Sequence, residues 1–337
     1  MRRARSTIAD VATRAGVGMS TVSRVLNGGQ VSAPARARVL AAIDDLGYRP
    51  RASARALVTG ATGTLSLVIP FFLHPSAVER MRGVLAGLDC TEYEVVVCNV
   101  ATPEQRDQHV GRGAPLDRSD GLLIVSLTPR DGEAETLLRA GAPVVLLDAF
   151  HPLLPSLSTD DVAGGVIATR HLIELGHERI AFVGDRTDPA FGFVSSERRR
   201  EGYREALEAA GLPLVRELER RGPHGRAVAH RLTRELLSLP EPPTAIFAAS
   251  DTQALGVLEA AGYEGVDVPG ELSVVGFDDL ELASYVGLTT VRQPLADGGR
   301  RAVERLLGEL RGERAPMEER LELSLEVRRT TAPPPDR

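Results

Sequence analysis

Residues 7–27, from Thr7 to Asn27, read TIADVATRAGVGMSTVSRVLN, and two helical patterns meet there around a glycine turn. Ile8, Val11, Ala12 and Ala15 recur at i, i+3, i+4 and i+7, which places them on one face of a helix. Gly16 breaks that pattern and Val17 tucks in behind the turn. A second helix begins near Gly18 or Met19, with Val22, Val25 and Leu26 turned inward. Met19, Ser20, Ser23, Arg24 and Asn27 project the other way, a row of one cation and small hydrogen-bonding groups. Helices so joined make a helix-turn-helix, whose second helix is a candidate reader of a DNA groove. The same periodicity also suits any small three-helix domain, so spacing alone leaves both readings open.

The chain that follows favours the first reading. Ser32 is expected to cap a third helix, with Pro34 tolerated in its first turn. Val39, Ala42, Ile43 and Leu46 repeat the inward spacing, and Gly47 ends it. The next run, YRPRASARALVTG from Tyr48 to Gly60, opens on Pro50 and allows only about two helical turns, too few to persist alone because nucleation is costly. Its Arg51, Arg55 and Leu57 would order against something anionic that offers an apolar slot. The alternative is a loose linker whose leucine covers the next domain.

Charge divides along the same line. The net value is −6, yet residues 1–60 hold ten arginines against Asp10, Asp44 and Asp45, a balance of +7 that leaves −13 on the remainder. A basic head on an acidic body presents only one end to a polyanion. Lysine does not occur, so every fixed cation is a guanidinium, suited to bidentate phosphate or guanine contacts, although a codon bias produces the same composition.

From Leu65 onward, short apolar runs alternate with amphipathic stretches: LSLVIP, YEVVVCN, GLLIV and PVVLLD, then RIAFVG, AIFAAS and LSVVGFDD. Continuous apolar runs separated by helices predict parallel strands buried on both faces. They fall into two sets, roughly 64–160 and 161–290, and the tail crosses back with a helix over Leu295–Leu310 and a strand over Leu321–Val327. In such open sheets ligands bind beyond the carboxyl ends of the strands. That directs attention to IPFFLHPSAVERM, LLDAFHP, VGDRTDPAF, FAASDTQALG and VVGFDDLELAS.

The run DVA, AGV and STVSRVLN, with the later LGYRP, resembles the headpiece of LacI/GalR-type transcription regulators, and the resemblance extends over almost the whole chain. It implies an α/β protein with a three-helix headpiece and a two-lobed, periplasmic-binding-protein-like body of doubly wound parallel sheets. The implied division is 1–50 headpiece, 51–60 hinge helix, 61–160 plus 291–318 first effector subdomain and dimer interface, 161–290 plus 319–330 second subdomain, and 331–337 tail. DNA contacts are expected from Thr7, Gly18, Met19, Ser20, Thr21, Ser23, Arg24, Asn27, Arg51, Arg55 and Leu57, with Leu57 wedging into the minor groove. Effector contacts are expected from Phe71, Phe72, His74, Asp148, Arg199, Ser250, Asp251, Phe277, Asp278 and Gln293. Arg199 matches the family's Arg-x-x-Gly-Tyr, while Asp278 matches the aspartate that bonds ligand hydroxyls. Asp251 could also cap a helix, and Asp160 near the lobe crossing reads as structural. Cys90 and Cys98 would be reduced core thiols of one sheet-helix layer.

Several positions depart from the family pattern. Gly18 stands where most members have serine, Arg51 replaces an asparagine, and His74-Pro75-Ser76-Ala77 replaces Asn-Pro-Phe-Phe. Ser250 stands where the family has asparagine. The operator therefore cannot be copied from another member. Met19 suits a thymine methyl or a packing contact, and Arg24 the O6 and N7 of guanine.

Other classes find less support. No apolar run approaches the ~18 residues of a membrane span, and MRRARSTIAD lacks the apolar core of a signal peptide, so a cytoplasmic protein is expected. No P-loop, Gly-x-Ser-x-Gly or zinc spacing occurs, and Gly16-Val17-Gly18 follows a helix rather than the strand a dinucleotide loop requires. No enzyme activity, cofactor or metal is expected. The expected partners are a pseudo-palindromic DNA operator, a second copy of the chain and a small effector. That effector is a sugar on the main reading and a purine or nucleoside on the alternative. A transport sugar-binding protein, or an enzyme using Asp278 or Asp251, are the remaining rivals. The tail TTAPPPDR carries no leucine heptad for a tetramer.

Overall fold

The computed structural model describes residues 6–26, 29–48, 61–186 and 189–335, and the chain divides into two compact units, residues 1–63 and 64–337. In the first unit, α1 (Ile8–Ala15), α2 (Met19–Leu26) and α3 (Ala33–Leu46) close around Val11, Val22, Val39, Ala42 and Tyr48. Gly16 and Gly47 end α1 and α3 with positive φ of 61° and 57°, where glycine avoids the strain a side chain would bring. Ser32 occupies the N-cap position of α3 without making a side-chain cap bond, so the expected cap is positional only; Pro34 sits in the first turn as expected.

The second unit contains two six-stranded sheets. The strands of the first are β1 (Thr64–Pro70), β2 (Glu94–Val100), β3 (Gly121–Val125), β4 (Val144–Leu147), β5 (Ser156–Thr159) and β11 (Glu318–Leu321), ordered β11-β5-β4-β3-β1-β2 and all parallel. The second sheet comprises β6 (Ile180–Asp185), β7 (Glu219–Gly222), β8 (Ala245–Ala248), β9 (Ser273–Asp278), β10 (Thr289–Arg292) and β12 (Ser324–Glu326). Its order is β12-β10-β9-β8-β6-β7, and only the β10–β12 pair is antiparallel. Central strands β3, β8 and β9 are buried along their whole length, as their unbroken apolar runs require. In each sheet the strand order reverses beside the first strand, between β1 and β3 and between β6 and β8. Crevices form at such points in doubly wound folds.

Helices cover both faces. In the first lobe these include α4 (Pro75–Leu88), α5 (Asp131–Arg139) and α11 (Leu295–Leu310), the last occupying the range read from the sequence. The second lobe has α6 (Asp161–Glu174), α7 (Ser195–Ala209), α8 (Arg226–Leu237), α9 (Asp251–Glu264) and α10 (Glu281–Val286). α6 and α7 pack backbone to backbone. A Cβ on Gly165 would collide with the carbonyl of Arg199, and one on Gly202 with that of Val162. Those two glycines therefore set how deeply Arg199 reaches beneath the sheet.

The tail corrects the sequence reading. The single strand expected over Leu321–Val327 is two strands in different sheets, β11 beside β5 and β12 against β10. Expected boundaries at 290/291 and 318/319 fall inside β10 and β11. Beyond β12 the chain stays on the second lobe: the Val274 N–H donates to the Thr330 carbonyl at 2.7 Å, and His177 bonds the Ala332 carbonyl at 2.9 Å. Cys98 is buried as expected, but Cys90 is exposed in the turn after α4 at φ 68°, outside any core.

Candidate functional sites: a DNA-facing helix and an interlobe cleft

Helix α2 presents the row of side chains its spacing predicts. Gly18, Met19, Ser20 and Arg24 are exposed, Met19 by 57%, while Thr21 and Ser23 are half-buried. The carbonyl of Gly18 accepts the N–H groups of Thr21 and Val22 at 2.9 and 3.2 Å, so the helix starts from a glycine without a capping hydroxyl. Thr7 is committed to α1: its hydroxyl donates to Asp10 Oδ2 at 2.8 Å and accepts the Asp10 N–H at 3.3 Å, a reciprocal capping box. Asn27, Arg51, Arg55 and Leu57, with the hinge expected at 51–60, lie outside the described residues.

In the second unit, the carboxyl ends of both sheets face a cleft of about 640 Å³, within the range of small-molecule sites. Seven of the ten expected effector residues line it: Phe71, His74, Asp148, Arg199, Ser250, Asp278 and Gln293. Its floor is polar and comes from both lobes. In the first, Asp148 Oδ2 accepts from Arg80 Nη2 at 2.8 Å and from the Ser126 hydroxyl at 2.7 Å. In the second, Arg199 Nε donates to Asp161 Oδ1 at 2.8 Å, its Nη1 donates to the Ala249 carbonyl at 2.7 Å, and Nη1 stands 3.9 Å from Asp278 Oδ1. Gln293, on the segment that crosses back between the lobes, donates to Asp278 and accepts from the Thr159 hydroxyl at 3.4 Å.

Burial governs the charge states. It pushes the Asp278 carboxyl above the usual range, against the opposing pull of Arg199, Arg80, Gln293 and His224. Asp161 is likewise raised by burial, with Arg199 opposing. For Arg199 burial works against the cation, but Asp161, Asp278 and Asp148 outweigh it and raise the pKa further. Each group is thus a buried hydrogen-bonding point held by its neighbours.

Backbone strain marks the same floor. Phe71, Ser126, Asp148 and Asp278 follow or end β1, β3, β4 and β9 with φ of 43°, 53°, 55° and 121°, values that cost non-glycine residues on the order of 1–3 kcal/mol each. All four line the cleft. Such outliers persist where the surrounding structure over-determines them, and here they turn side chains at strand ends into one space.

One end of the cleft is aromatic. Phe71 stacks on His74 at 5.2 Å between centroids, and Phe191 stacks on Phe193 at 5.3 Å and meets Phe71 at 5.5 Å. Phe191 belongs to the second-lobe loop after β6, yet it is buried in the apolar core of the first lobe, where Arg106 Nε donates to its carbonyl at 3.3 Å.

Three expected residues stand away from the cleft. The Phe72 side chain is exposed at 39%, because the turn that aims Phe71 inward leaves its neighbour outside; its N–H donates to Asn99 Oδ1 at 3.1 Å. Phe277 is fully buried beneath the guanidinium of Arg199, which lies 3.7 Å from the ring centroid. Asp251 is buried behind the site, accepting the Leu280 N–H at 2.8 Å and the Thr290 hydroxyl at 2.6 Å. Burial, reinforced by the charge of Asp278, pushes its pKa up to about 8. Sequence reasoning missed Arg80, Ser126, Asp185, Phe191, Phe193 and His224. Only their nearness to strand ends could have signalled Ser126 and Asp185, and the other four come from helix or loop positions that spacing does not mark.

A helix-turn-helix unit joined to a two-lobed body with a polar interlobe cleft defines the class of ligand-responsive DNA-binding regulators. Residues 7–51 match the model of bacterial regulatory proteins of the lacI family, and residues 169–331 match the periplasmic binding protein-like domain. The ribose operon repressor of Escherichia coli (strain K12) is 35% identical over 308 residues, which cover 90% of this chain and 92% of the repressor. A solved complex of the transcriptional regulator CelR with cellobiose is 33% identical, with a TM-score of 0.70, and the match covers 97% of this chain and all of that one. The lac repressor dimer bound to operator and the anti-inducer ONPF is 28% identical at a TM-score of 0.81, covering 98% of this chain and all of that one. The chain belongs to the lacI family of bacterial regulatory proteins and is a DNA-binding transcriptional regulator.

Proposed function

We propose that this regulator is a repressor that binds a pseudo-palindromic operator as a homodimer, reading bases with Met19, Ser20 and Arg24, and that a small polyhydroxylated effector in the interlobe cleft controls its affinity. The observation that carries the reading is the polar floor: Asp148, Arg80 and Ser126 from one lobe oppose Asp278 and Arg199 from the other, with Gln293 on the crossing segment between them. Fixed carboxylates and guanidinium groups on both sides supply acceptors and donors for a ring of hydroxyls. A ligand that spans them lowers the free energy of the closed form relative to the open one, the differential contact that a conformational switch needs. The relatives support a sugar, since the solved CelR complex holds cellobiose and the ribose operon repressor is named for ribose. The operator-bound lac repressor supports the dimer, and two headpieces on a two-fold axis require two half-sites.

A purine or nucleoside effector is the second reading, favoured by the aromatic end at Phe71, His74, Phe191 and Phe193. Hinge residues Arg51, Arg55 and Leu57 would carry the cleft's state to the DNA. The family and its regulator relatives support a protein that acts in the cytoplasm and without catalysis. Among the described residues no cluster of three or more metal-ligating side chains occurs, and no helix is long and apolar enough to cross a membrane.

Two measurements test the proposal. Binding to random duplex DNA across a salt series should weaken steeply with salt, because the +7 segment releases counterions; an absence of binding at low salt defeats the regulator reading. A thermal-shift screen of ribose, cellobiose, other sugars and nucleosides should show stabilisation by a sugar. Stabilisation by nucleosides alone selects the second reading.

A further inference from the structure

One contact between the lobes uses neither the polar floor nor the buried Phe191. His74 lies after β1 in the first lobe, and His224 lies between β7 and α8 in the second. Their imidazoles meet across the cleft with centroids 5.2 Å apart and planes tilted by 31°. His224 is anchored within its own lobe: Nδ1 is 3.2 Å from Asp185 Oδ1, and Gln253 Nε2 donates to that same oxygen at 2.9 Å. Ser250 in turn donates to Gln253 Oε1 at 3.1 Å. His74 stacks with the Phe71 ring and meets the His224 ring, and among the described residues no hydrogen-bonded carboxylate is among its ring contacts.

We propose that His74 and His224 form a proton-sensitive latch between the lobes, so that closing the cleft expels a proton from His74. This goes beyond the effector reading and rests on it only for its regulatory consequence, a response whose strength depends on pH.

The physical case is an asymmetry. His224 shares its lobe with Asp185, which is present whether the cleft is open or closed; its carboxylate outweighs burial and holds His224 above the usual histidine value. His74 has Phe71 beside it in its own lobe but meets His224 only on closure. Burial, then the charge on His224, push it below the usual value, and the smaller opposing pull of the Asp185 carboxylate does not reverse them. The other charged groups of the cleft are Arg186, Glu197, Arg199 and Asp278 on the second lobe, with Arg80 and Asp148 on the first. Of these, Asp278 and Arg199 act on His224 with opposite signs, and Arg80 is paired with Asp148. The sign follows. A group held below its ordinary value in the closed form favours closure above about pH 6.5, and that preference is lost as pH falls through it. At acid pH two imidazolium rings would face one another, and like charges so placed separate the lobes.

The test needs no effector, so it fails or succeeds independently of the proposed function. Spin labels are placed at Glu104→Cys and Ala227→Cys, exposed positions near the carboxyl ends of β2 and β7, in a Cys90→Ser full-length chain. Interlobe distances are then measured by pulsed electron resonance from about pH 7.5 to about pH 5.5. The parent should lengthen by about 2 Å or more, and both His74→Gln and His224→Gln should abolish the change. In parallel, NMR titration should find the His74 pKa raised by His224→Gln. A parent distance that does not respond to pH, or a lengthening that survives either histidine variant, overturns the latch. Should one variant fail to fold, the other decides.

Discussion

Arg199 binds Asp161 through Nε at 2.8 Å while its Nη1 stands 3.9 Å from Asp278, so one buried guanidinium serves a carboxylate at the start of α6 and another at the end of β9. The family resemblance assigns Arg199 to the effector, but its first partner is the protein itself. Arg199→Leu should therefore destabilise the chain by about 3–5 kcal/mol, because it leaves two buried carboxylates unpaired. Chemical denaturation at neutral pH checks this. Wild-type stability in the variant would mean that the arginine is held for the ligand alone.

Asp278→Ala should behave differently. Arg199 keeps Asp161, so the fold survives, while a ligand hydroxyl loses its acceptor at a cost of about 1–3 kcal/mol. DNA affinity should be unchanged, and the thermal shift given by the sugar found in the screen should vanish or need 10- to 100-fold more ligand. An undiminished shift would remove Asp278 from the site.

Arg24→Ala tests the other unit. The side chain is exposed on α2 and no fold contact holds its guanidinium among the bonds of the described residues. Discrimination between operator and random DNA should fall by about 1–3 kcal/mol, with sugar-induced stabilisation intact. Loss of both properties together would identify Arg24 as a folding residue.

Asp251 predicts a pH dependence of stability. Its folded pKa, about 8, lies far above the ordinary carboxylate value because burial and Asp278 disfavour the charge. A raised pKa means that the contribution to stability is full below the unfolded value, near pH 4, and is lost as pH rises toward 8. Asp251→Asn removes the ionisation while an amide can still accept from Leu280 and donate to Thr290. The Tm of the variant should gain on the parent as pH rises from about 4 to about 8, by about 2–4 °C for each kcal/mol relieved. Parallel Tm curves would show that Asp251 does not titrate in that window.

Much of this was legible in the chain. The i, i+3, i+4 spacing at Ile8, Val11, Ala12 and Ala15, then Val22 and Val25, is a local record of which side faces a core, and α1 and α2 obey it. Unbroken apolar runs such as GLLIV likewise announce strands covered on both faces. The tail is less legible, because a three-residue strand such as Ser324–Glu326 owes its existence to the β10 edge it meets rather than to its own composition. Cys90 escapes the core for a related reason: a helix end is close in sequence to a buried layer and outside it in space.

By itself, then, the sequence determined the helices of the headpiece, the parallel character of both sheets and the strand ends at which a ligand would sit, all properties of residues near one another along the chain. Tertiary structure alone decided which strand-end groups meet. Asp148 joins Arg80, Arg199 joins Asp161, His74 reaches His224 some 150 positions away, and Asp251 turns behind the cleft while Asp278 turns into it. Those choices depend on backbone direction, on the close glycine packing of α6 against α7, and on two lobes brought face to face, none of which local periodicity encodes.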